Sequence, residues 1–119
     1  MEHVMESSYE QLAELFKGLS HPTRLQILDL LREGEMCVCH IEAALNKRQA
    51  YVSQQLMSLR EAGLVQSRRE GLQVYYWLAD ARLTDLLTLM LGTSRPTVIQ
   101  CVEGCPCPTC SVISLAQLQ

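Results

Sequence analysis

The chain has 119 residues, a formal net charge of −3 and six cysteines. This length fits one domain with a modest hydrophobic core, at a size where a second subunit adds stability, so we expect a dimer. No apolar run is long enough to span a membrane, and the polar, acidic start does not resemble an export signal. We therefore expect a cytoplasmic protein without a membrane partner, whose cysteines serve metal binding or thiol chemistry rather than structural disulfides.

The acidic total by itself argues against nonspecific binding to nucleic acid. However, a group of basic residues falls in the middle third of the chain, whereas acidic residues are frequent in the first third. A basic face can therefore coexist with an acidic total. The basic group consists of Lys47, Arg48, Arg60, Arg68 and Arg69.

Helical spacing of apolar residues predicts two helices in the first third of the chain. The first runs from about Tyr9 to Leu19. Pro22 fits the first position of the second helix, His21 is expected to cap it, and Gly34 ends it. Because the second helix has little polar surface, we expect it to lie at the centre of the core.

A helix-turn-helix pattern follows. A short third helix has Cys37 at its start, Asn46-Lys47 form a turn, and a fourth helix ends at Gly63. Next, Leu64–Arg69 and Gln73–Leu78 are rich in β-formers and flank a hairpin turn signal, Glu70-Gly71. The sequence therefore predicts a mostly α protein with a small β-hairpin, arranged as a winged helix-turn-helix.

The last predicted helix, Arg82–Leu91, is too apolar for a free surface. We assign it, together with the first helix, to a homodimer interface. Beyond it, Pro106 and Pro108 exclude a continuous helix, so this segment is expected to become ordered only when something binds it. We divide the chain into a winged helix-turn-helix domain at residues 1–95, for DNA binding and dimerisation, and a cysteine-rich tail at 96–119.

The fourth helix has the features of a DNA-recognition helix, which needs an apolar face to anchor it and short polar side chains near its N-terminus to reach base edges. Arginines on the wing would lie along the adjacent backbone or minor groove. A solvated polar face is the alternative, but it does not explain the ordered combination of helix, turn, helix and arginine-bearing hairpin. The predicted DNA contacts are Gln49, Ala50, Tyr51, Ser53, Gln54, Arg68, Arg69 and Gln73.

Six segments, in this order, carry a resemblance to a known family: Leu19-Ser20-His21-Pro22-Thr23-Arg24-Leu25-Gln26-Ile27-Leu28, Glu35-Met36-Cys37-Val38-Cys39, Val52-Ser53-Gln54-Gln55-Leu56, Leu59-Arg60-Glu61-Ala62-Gly63-Leu64-Val65, Arg68-Arg69-Glu70-Gly71 and Tyr75-Tyr76-Trp77-Leu78. Over about residues 9–91 the chain resembles the ArsR/SmtB group of metal- and metalloid-responsive bacterial repressors. The resemblance implies a homodimeric winged-helix repressor that leaves its operator, a double-stranded DNA site, when ligand binds.

Three positions depart from the family's pattern. Arg48 stands where the family often has a serine helix cap, so that helix start is capped differently or frays. His40 replaces an aspartate of the metal box and adds a candidate nitrogen ligand. Asp80-x-Arg82 replaces the Asp-x-His of the zinc sensors, so we expect the interfacial zinc site of that subgroup to be absent.

Cys37 and Cys39 form the candidate metal-ligating pair, because thiolates are good ligands for soft ions. For either cysteine alone, the alternative is a small buried core residue. On an ideal helix the two side chains point about 200° apart, so a regular helix cannot chelate one ion with both. We therefore expect a bound ion to distort the start of the third helix and, through its packing on the recognition helix, to shift the DNA-reading surface.

The tail offers further sulfur ligands, Cys101, Cys105, Cys107 and Cys110. Three roles are open for these cysteines: they bind an ion among themselves, they donate one or two sulfurs to an ion held by Cys37 and Cys39, within a subunit or across the dimer, or they act as a flexible scavenging tail. We favour the second role, in which tail cysteines and the Cys37/Cys39 pair share one ion. Three thiolates would suit trivalent arsenic, as the family resemblance implies, whereas four would suit cadmium, lead or zinc. The six sulfurs exceed the number that either kind of site needs, so the sequence does not identify the ion.

The leading hypothesis is a transcriptional repressor, not an enzyme, whose operator affinity falls when its thiolates bind arsenite, cadmium, lead or zinc. A related alternative is a redox or reactive-sulfur switch, in which the same cysteines form a disulfide or polysulfide bridge. From another class, a small metal carrier or thiol-exchange protein would use the Cys-x-Cys and Cys-x2-Cys spacings. The sequence shows no general base and no loop for an organic cofactor, which disfavours this third hypothesis.

Overall fold

The computed structural model describes residues 2–93, with side chains from residue 8 onward. The tail and its cysteines, Cys101, Cys105, Cys107 and Cys110, lie outside the described residues. Five helices and one small sheet make up the described part. In chain order they are α1 (Glu2–Leu19), α2 (Pro22–Leu31), β1 (Met36–Cys37), α3 (Val38–Leu45), α4 (Gln49–Glu61), β2 (Val65–Glu70), β3 (Gln73–Leu78) and α5 (Ala81–Leu91).

The predicted fold class is confirmed, with an added strand. The sheet is antiparallel with the order β1-β3-β2, so the predicted hairpin of β2 and β3 is extended by β1 on the free side of β3. α3 and α4 are the two helices of the helix-turn-helix, and the hairpin is the wing. Among the described helices, none combines the length and the apolar character that a membrane span requires.

The first two helices follow the predicted order with different ends. α1 begins at Glu2 rather than near Tyr9, because polar residues can continue a helix without an apolar face. Pro22 opens α2 as predicted. His21 is the N-cap residue of α2, but its side chain makes no capping hydrogen bond, so the expected cap was wrong. Histidine lacks the short side-chain oxygen that a cap requires.

The core forms around α2, as its apolar character predicted. Ile27 and Leu28 on this helix are fully buried, as are Ile41 on α3 and Leu56 and Leu59 on α4. Burying each such side chain stabilises the fold by about 1.5–3 kcal/mol. The core therefore fixes α4 against α2 and α3, which determines the face that α4 presents to solvent.

The cysteine pair lies at a strand-to-helix junction, which corrects the predicted helix start. Cys37 belongs to β1, where Met36 pairs with Tyr76 and Cys37 with Tyr75. α3 begins only at Val38, with Cys37 as an extended N-cap residue at φ −81° and ψ 161°. The pairing with β3 joins residues distant in sequence, and such tertiary pairing overrides local helical spacing.

The turn after α3 and the turn of the wing each contain a residue that tolerates a positive φ. Asn46, at φ 53°, ends α3 in the left-handed conformation. In the wing, Glu70 pairs with Gln73, so the two turn residues are Gly71 and Leu72, one position later than predicted. Gly71 has φ 63°, and glycine at the first central position suits a two-residue hairpin turn.

A capped start fixes the last helix. The Asp80 carboxylate accepts a hydrogen bond from the Arg82 backbone N–H, and the Arg82 side chain pairs with the same carboxylate. The hydrogen bonds from the Arg82 side chain, and secondarily from its backbone N–H, hold the pKa of Asp80 below its usual value of 3.8. The cap therefore stabilises α5 at neutral pH, and this contribution is lost as the pH falls through the lowered pKa.

Arg32 joins the C-terminal ends of α2 and α5. Its side chain is 3% exposed and pairs with Asp29. It also donates hydrogen bonds to the Thr88 hydroxyl at 3.2 Å and to the Gly92 carbonyl at 2.8 Å. These bonds fix the point at which the chain leaves α5.

We predict that Arg32→Leu lowers the free energy of unfolding by about 2 kcal/mol, because several hydrogen bonds from a buried charged group are lost. Arg82→Leu is the matched control, since Arg82 also pairs with an aspartate but its side chain is 84% exposed. Urea unfolding followed by circular dichroism measures both variants. Equal shifts of the two unfolding midpoints would contradict the clamping role of Arg32.

Candidate nucleic-acid interface and sulfur pair

The helix α4 has one buried face and one open face. Val52, Leu56 and Leu59 are fully buried against the core. Of the predicted DNA contacts on this helix, Gln49, Ala50 and Gln54 are exposed, whereas Tyr51 and Ser53 are half-buried. The open face near the N-terminus thus carries short polar groups of the kind that reach base edges in the major groove.

Two polar contacts hold α4 to α2. The Tyr51 hydroxyl donates a hydrogen bond to the Thr23 hydroxyl oxygen at 3.2 Å, and Arg24 donates one to the Gln55 side-chain oxygen at 3.0 Å. Gln55 is 8% exposed, in contrast to its exposed neighbour Gln54. The structure thus gives Tyr51 an anchoring contact in addition to its predicted place at the DNA surface.

The N-terminus of α4 is open and basic. Arg48 is the N-cap residue of α4, and its side chain makes no capping hydrogen bond. Lys47 and Arg48 are both exposed, and the Lys47 ammonium lies 6.0 Å from the centre of the Tyr51 ring. Free backbone N–H groups and two cations at a helix N-terminus favour an anion such as a DNA phosphate.

The two wing arginines have different surroundings. The Arg68 guanidinium lies 4.8 Å from the centre of the Tyr75 ring and pairs with Glu35 at 2.5 Å. Arg69 is exposed and, because side chains alternate along a strand, points to the opposite face of the sheet. Arg68 is thus engaged within the protein, and Arg69 is the better placed of the two for a phosphate.

The sulfur pair combines a buried thiol with an accessible one. Cys37 is fully buried, whereas Cys39 is half-buried. Cys39 lines an open cleft of about 500 Å³ together with Lys47 and Arg48. Its thiol also lies 3.9 Å from the side-chain oxygen of Gln73, a predicted DNA contact at the start of β3. The pair therefore touches both the helix-turn-helix and the wing.

No complete metal site is formed by the side chains that the structure describes. Among the side chains that the structure describes, those of residues 8–93, no cluster of three His, Cys, Asp or Glu is arranged to hold an ion. His40, the candidate nitrogen ligand, is fully buried and would have to leave the core to bind one. Cys37 and Cys39 fit a soft ion by chemistry, but two thiols alone do not complete a coordination shell.

Two residues that sequence reasoning did not assign to the site adjoin the sulfur pair. Tyr75 is the cross-strand neighbour of Cys37, and Glu35 pairs with Arg68. The proximity of Glu35 to Cys37 along the chain was visible in the sequence. The strand register that places Tyr75 beside Cys37 could not be predicted from the sequence, because β1 has only two residues and no alternating pattern.

Comparisons with known proteins agree with this geometry. A family model described as "Bacterial regulatory protein, arsR family" matches residues 21–67. A helix-turn-helix transcriptional regulator of Methanocaldococcus jannaschii is 45% identical over 83 residues, covering 69% of this chain and 93% of that protein. The arsenical resistance operon repressor of Escherichia coli is 46% identical over 67 residues, covering 56% of this chain and 57% of the repressor.

A similar solved structure is the homodimeric winged helix-turn-helix DNA-binding domain of a possible ArsR-family regulator from Mycobacterium bovis. It has a TM-score of 0.67 and 37% sequence identity, and the match covers 72% of this chain and 80% of that domain. The range matched by the family model includes both helices of the helix-turn-helix.

The neighbouring glutamines of α4 provide a test of its orientation. We predict that Gln55→Ala lowers the free energy of unfolding by about 1–2 kcal/mol, because the Arg24 contact is lost. Gln54→Ala is the matched control and should change it by less than about 0.5 kcal/mol, as is usual at exposed positions. Urea unfolding measures both variants, and a larger loss in Gln54→Ala would contradict the observed orientation.

Proposed function

The chain belongs to the ArsR family of bacterial regulatory proteins, and on that premise we propose that it is a repressor released from its operator when its thiols bind a soft metal or metalloid ion. Family membership makes it a transcriptional regulator rather than an enzyme. The observation that carries the proposal is the position of the sulfur pair. Cys37 and Cys39 lie where β1 meets α3, in contact with the elements that would hold DNA.

For DNA binding, α4 enters the major groove and the wing follows the adjacent backbone. Gln49, Ala50, Ser53 and Gln54 read base edges, and Tyr51 contributes beside its contact with α2. Lys47 and Arg48 at the open N-terminus of α4, with Arg69 on the wing, neutralise phosphates, and Arg68 contributes less because Glu35 pairs with it. The exposure of Lys47, Arg48, Gln49, Ala50 and Gln54 supports this assignment.

For dimerisation, the apolar surface of α1 and α5 meets its copy. Leu12 and Phe16 on α1 are each 49% exposed, and Leu89 on α5 is 84% exposed. These side chains line a groove of about 320 Å³ between the two helices. An apolar surface of this kind is typical of a protein interface, and the related domain from Mycobacterium bovis is described as homodimeric.

For ion binding, Cys37 and Cys39 need at least one further sulfur, which we assign to the tail cysteines of the same subunit or of its partner. Arg32, which directly follows α2 and comes five residues before Cys37, holds Gly92 near the end of α2. Five residues span at most about 18 Å and the nine from Gly92 to Cys101 about 32 Å, so the chain is long enough within one subunit. Three thiolates would suit arsenite and four would suit cadmium, lead or zinc.

Engaging Cys37 disturbs the DNA-binding surface because this thiol is fully buried. To reach an ion shared with Cys39, Cys37 has to leave the core, and the pairing of β1 with β3 then breaks. α3 follows directly after β1 and packs on α4, so both the recognition helix and the wing lose a support. A coupling of about 1–3 kcal/mol would lower operator affinity roughly 5- to 150-fold.

Changing both Cys37 and Cys39 to Ser should preserve DNA binding and abolish ion-induced release. The assay titrates the strictly reduced protein, bound to duplex DNA from upstream of its own gene, with arsenite, cadmium and zinc, and follows thiolate absorption together with release. Cys39→Ser alone is the control that retains the buried thiol. Loss of DNA binding in the ion-free double variant would assign the pair a structural role.

The same assay separates the ion sensor from a thiol redox switch. The observation that supports a switch is the partial exposure of Cys39 beside Lys47 and Arg48. We expect release with ions under reduction. Release by an oxidant alone would instead support the switch, and ion binding without any DNA binding would support a metal carrier.

We predict that Arg69→Ala weakens DNA binding to all sequences and reduces the slope of log affinity against log salt by about 1, because one phosphate contact is lost. Arg68→Ala is the matched control and should change this slope less, since Glu35 already neutralises Arg68. Fluorescence anisotropy at several salt concentrations measures both slopes. A larger effect of Arg68→Ala would contradict the assigned roles.

A further inference from the structure

A row of three side chains, one of which carries the buried thiol, crosses the sheet. On β3, Tyr75 pairs with Cys37 of β1 on one side and with Arg68 of β2 on the other. Paired residues of antiparallel strands place their side chains on the same face, about 5 Å apart at Cβ. Cys37, Tyr75 and Arg68 therefore form one continuous row from β1 to the wing.

An ion pair closes this row at its outer end. The Arg68 guanidinium covers the Tyr75 ring at 4.8 Å and pairs with Glu35 at 2.5 Å. Glu35 comes two residues before Cys37 and directly before β1. The contact thus runs from the wing back to the backbone segment that carries the buried thiol.

We propose that Glu35, Arg68 and Tyr75 form a clasp that keeps the Cys37 thiol buried, and that Glu35 is its positioning residue. The inference rests on the proposed function, because it specifies what regulates access to one of the sulfurs in that site. Glu35 does not bind the ion; it acts by holding Arg68 over Tyr75.

The burial of the row supports the clasp. Cys37 is fully buried and Tyr75 is 3% exposed, whereas Glu35 and Arg68 keep side-chain exposures of 31% and 42%. A two-residue strand makes too few backbone hydrogen bonds to be stable by itself. The side-chain contacts therefore contribute to holding β1 on β3, and opening them lowers the free-energy cost of exposing Cys37.

A second carboxylate provides a matched control. Glu70 also pairs with Arg68, at 3.5 Å, but it lies on the same strand as Arg68 and is 70% exposed. The pair of Glu70 and Arg68 stays within the wing and does not reach β1. Removing the Glu70 charge therefore alters the surroundings of Arg68 without opening the clasp.

The test measures how fast iodoacetamide alkylates Cys37 in the reduced, metal-free full chain, with each cysteine followed by peptide mass mapping. Glu35→Gln and Arg68→Gln should each raise the Cys37 rate roughly two- to fivefold, the factor expected for a partly exposed ion pair. Combining both changes should add little, because they open the same contact. Cys39 is already partly exposed, so its alkylation rate should be unchanged in every variant.

Two controls decide the result. Glu70→Gln should leave the Cys37 rate unchanged, and so should Gln55→Ala, which lowers stability away from the clasp. The clasp is refuted by an unchanged Cys37 rate in Glu35→Gln, or by an equal rise in either control. The assay contains no metal and no DNA, so its failure leaves the repressor proposal intact, and failure of ion-induced release leaves the alkylation result valid.

Discussion

The pairing of β1 with β3 is the interaction on which the sulfur pair depends. It buries Cys37 completely, sets it beside Tyr75, and leaves Cys39 one step inside α3 and half-buried. Because two residues of strand contribute little stability by themselves, this pairing can open at a lower free-energy cost than the packed helices of the core. Such a weak element next to a rigid core suits a switch, since its displacement leaves the helices around α2 intact.

The candidate DNA-binding surface, in contrast, is held rigidly. α4 is fixed by fully buried leucines and by contacts from Tyr51 and Gln55 to α2, so its open face is presented on a rigid support. Rigid presentation keeps the entropy lost on binding small. The wing and α3 are the elements joined to the sulfur pair, through Gln73 and through the direct link from Cys37 into α3. In the proposed mechanism, a change at the sulfurs alters DNA affinity through the position of these supports.

Much of the fold could be predicted because its signals are local. Apolar spacing, Pro22 and Gly71 located the helices and the hairpin, and the turn differed from its prediction by one residue. The strand β1 and the engagement of Arg68 could not be predicted, because both depend on partners distant in sequence. The identity of the cysteine pair as candidate ligands came from the sequence, whereas the contrast between a buried and an accessible thiol required the packing.

The most direct test of the account is amide hydrogen exchange of the reduced, full-length protein with and without saturating arsenite or cadmium. If ion binding draws Cys37 out of the core, amides of β1 and of its partner strand β3 lose protection while those of α2 keep it. Unchanged protection at Met36, Cys37 and Tyr76, in protein whose thiolate absorption shows that the ion is bound, would contradict the account.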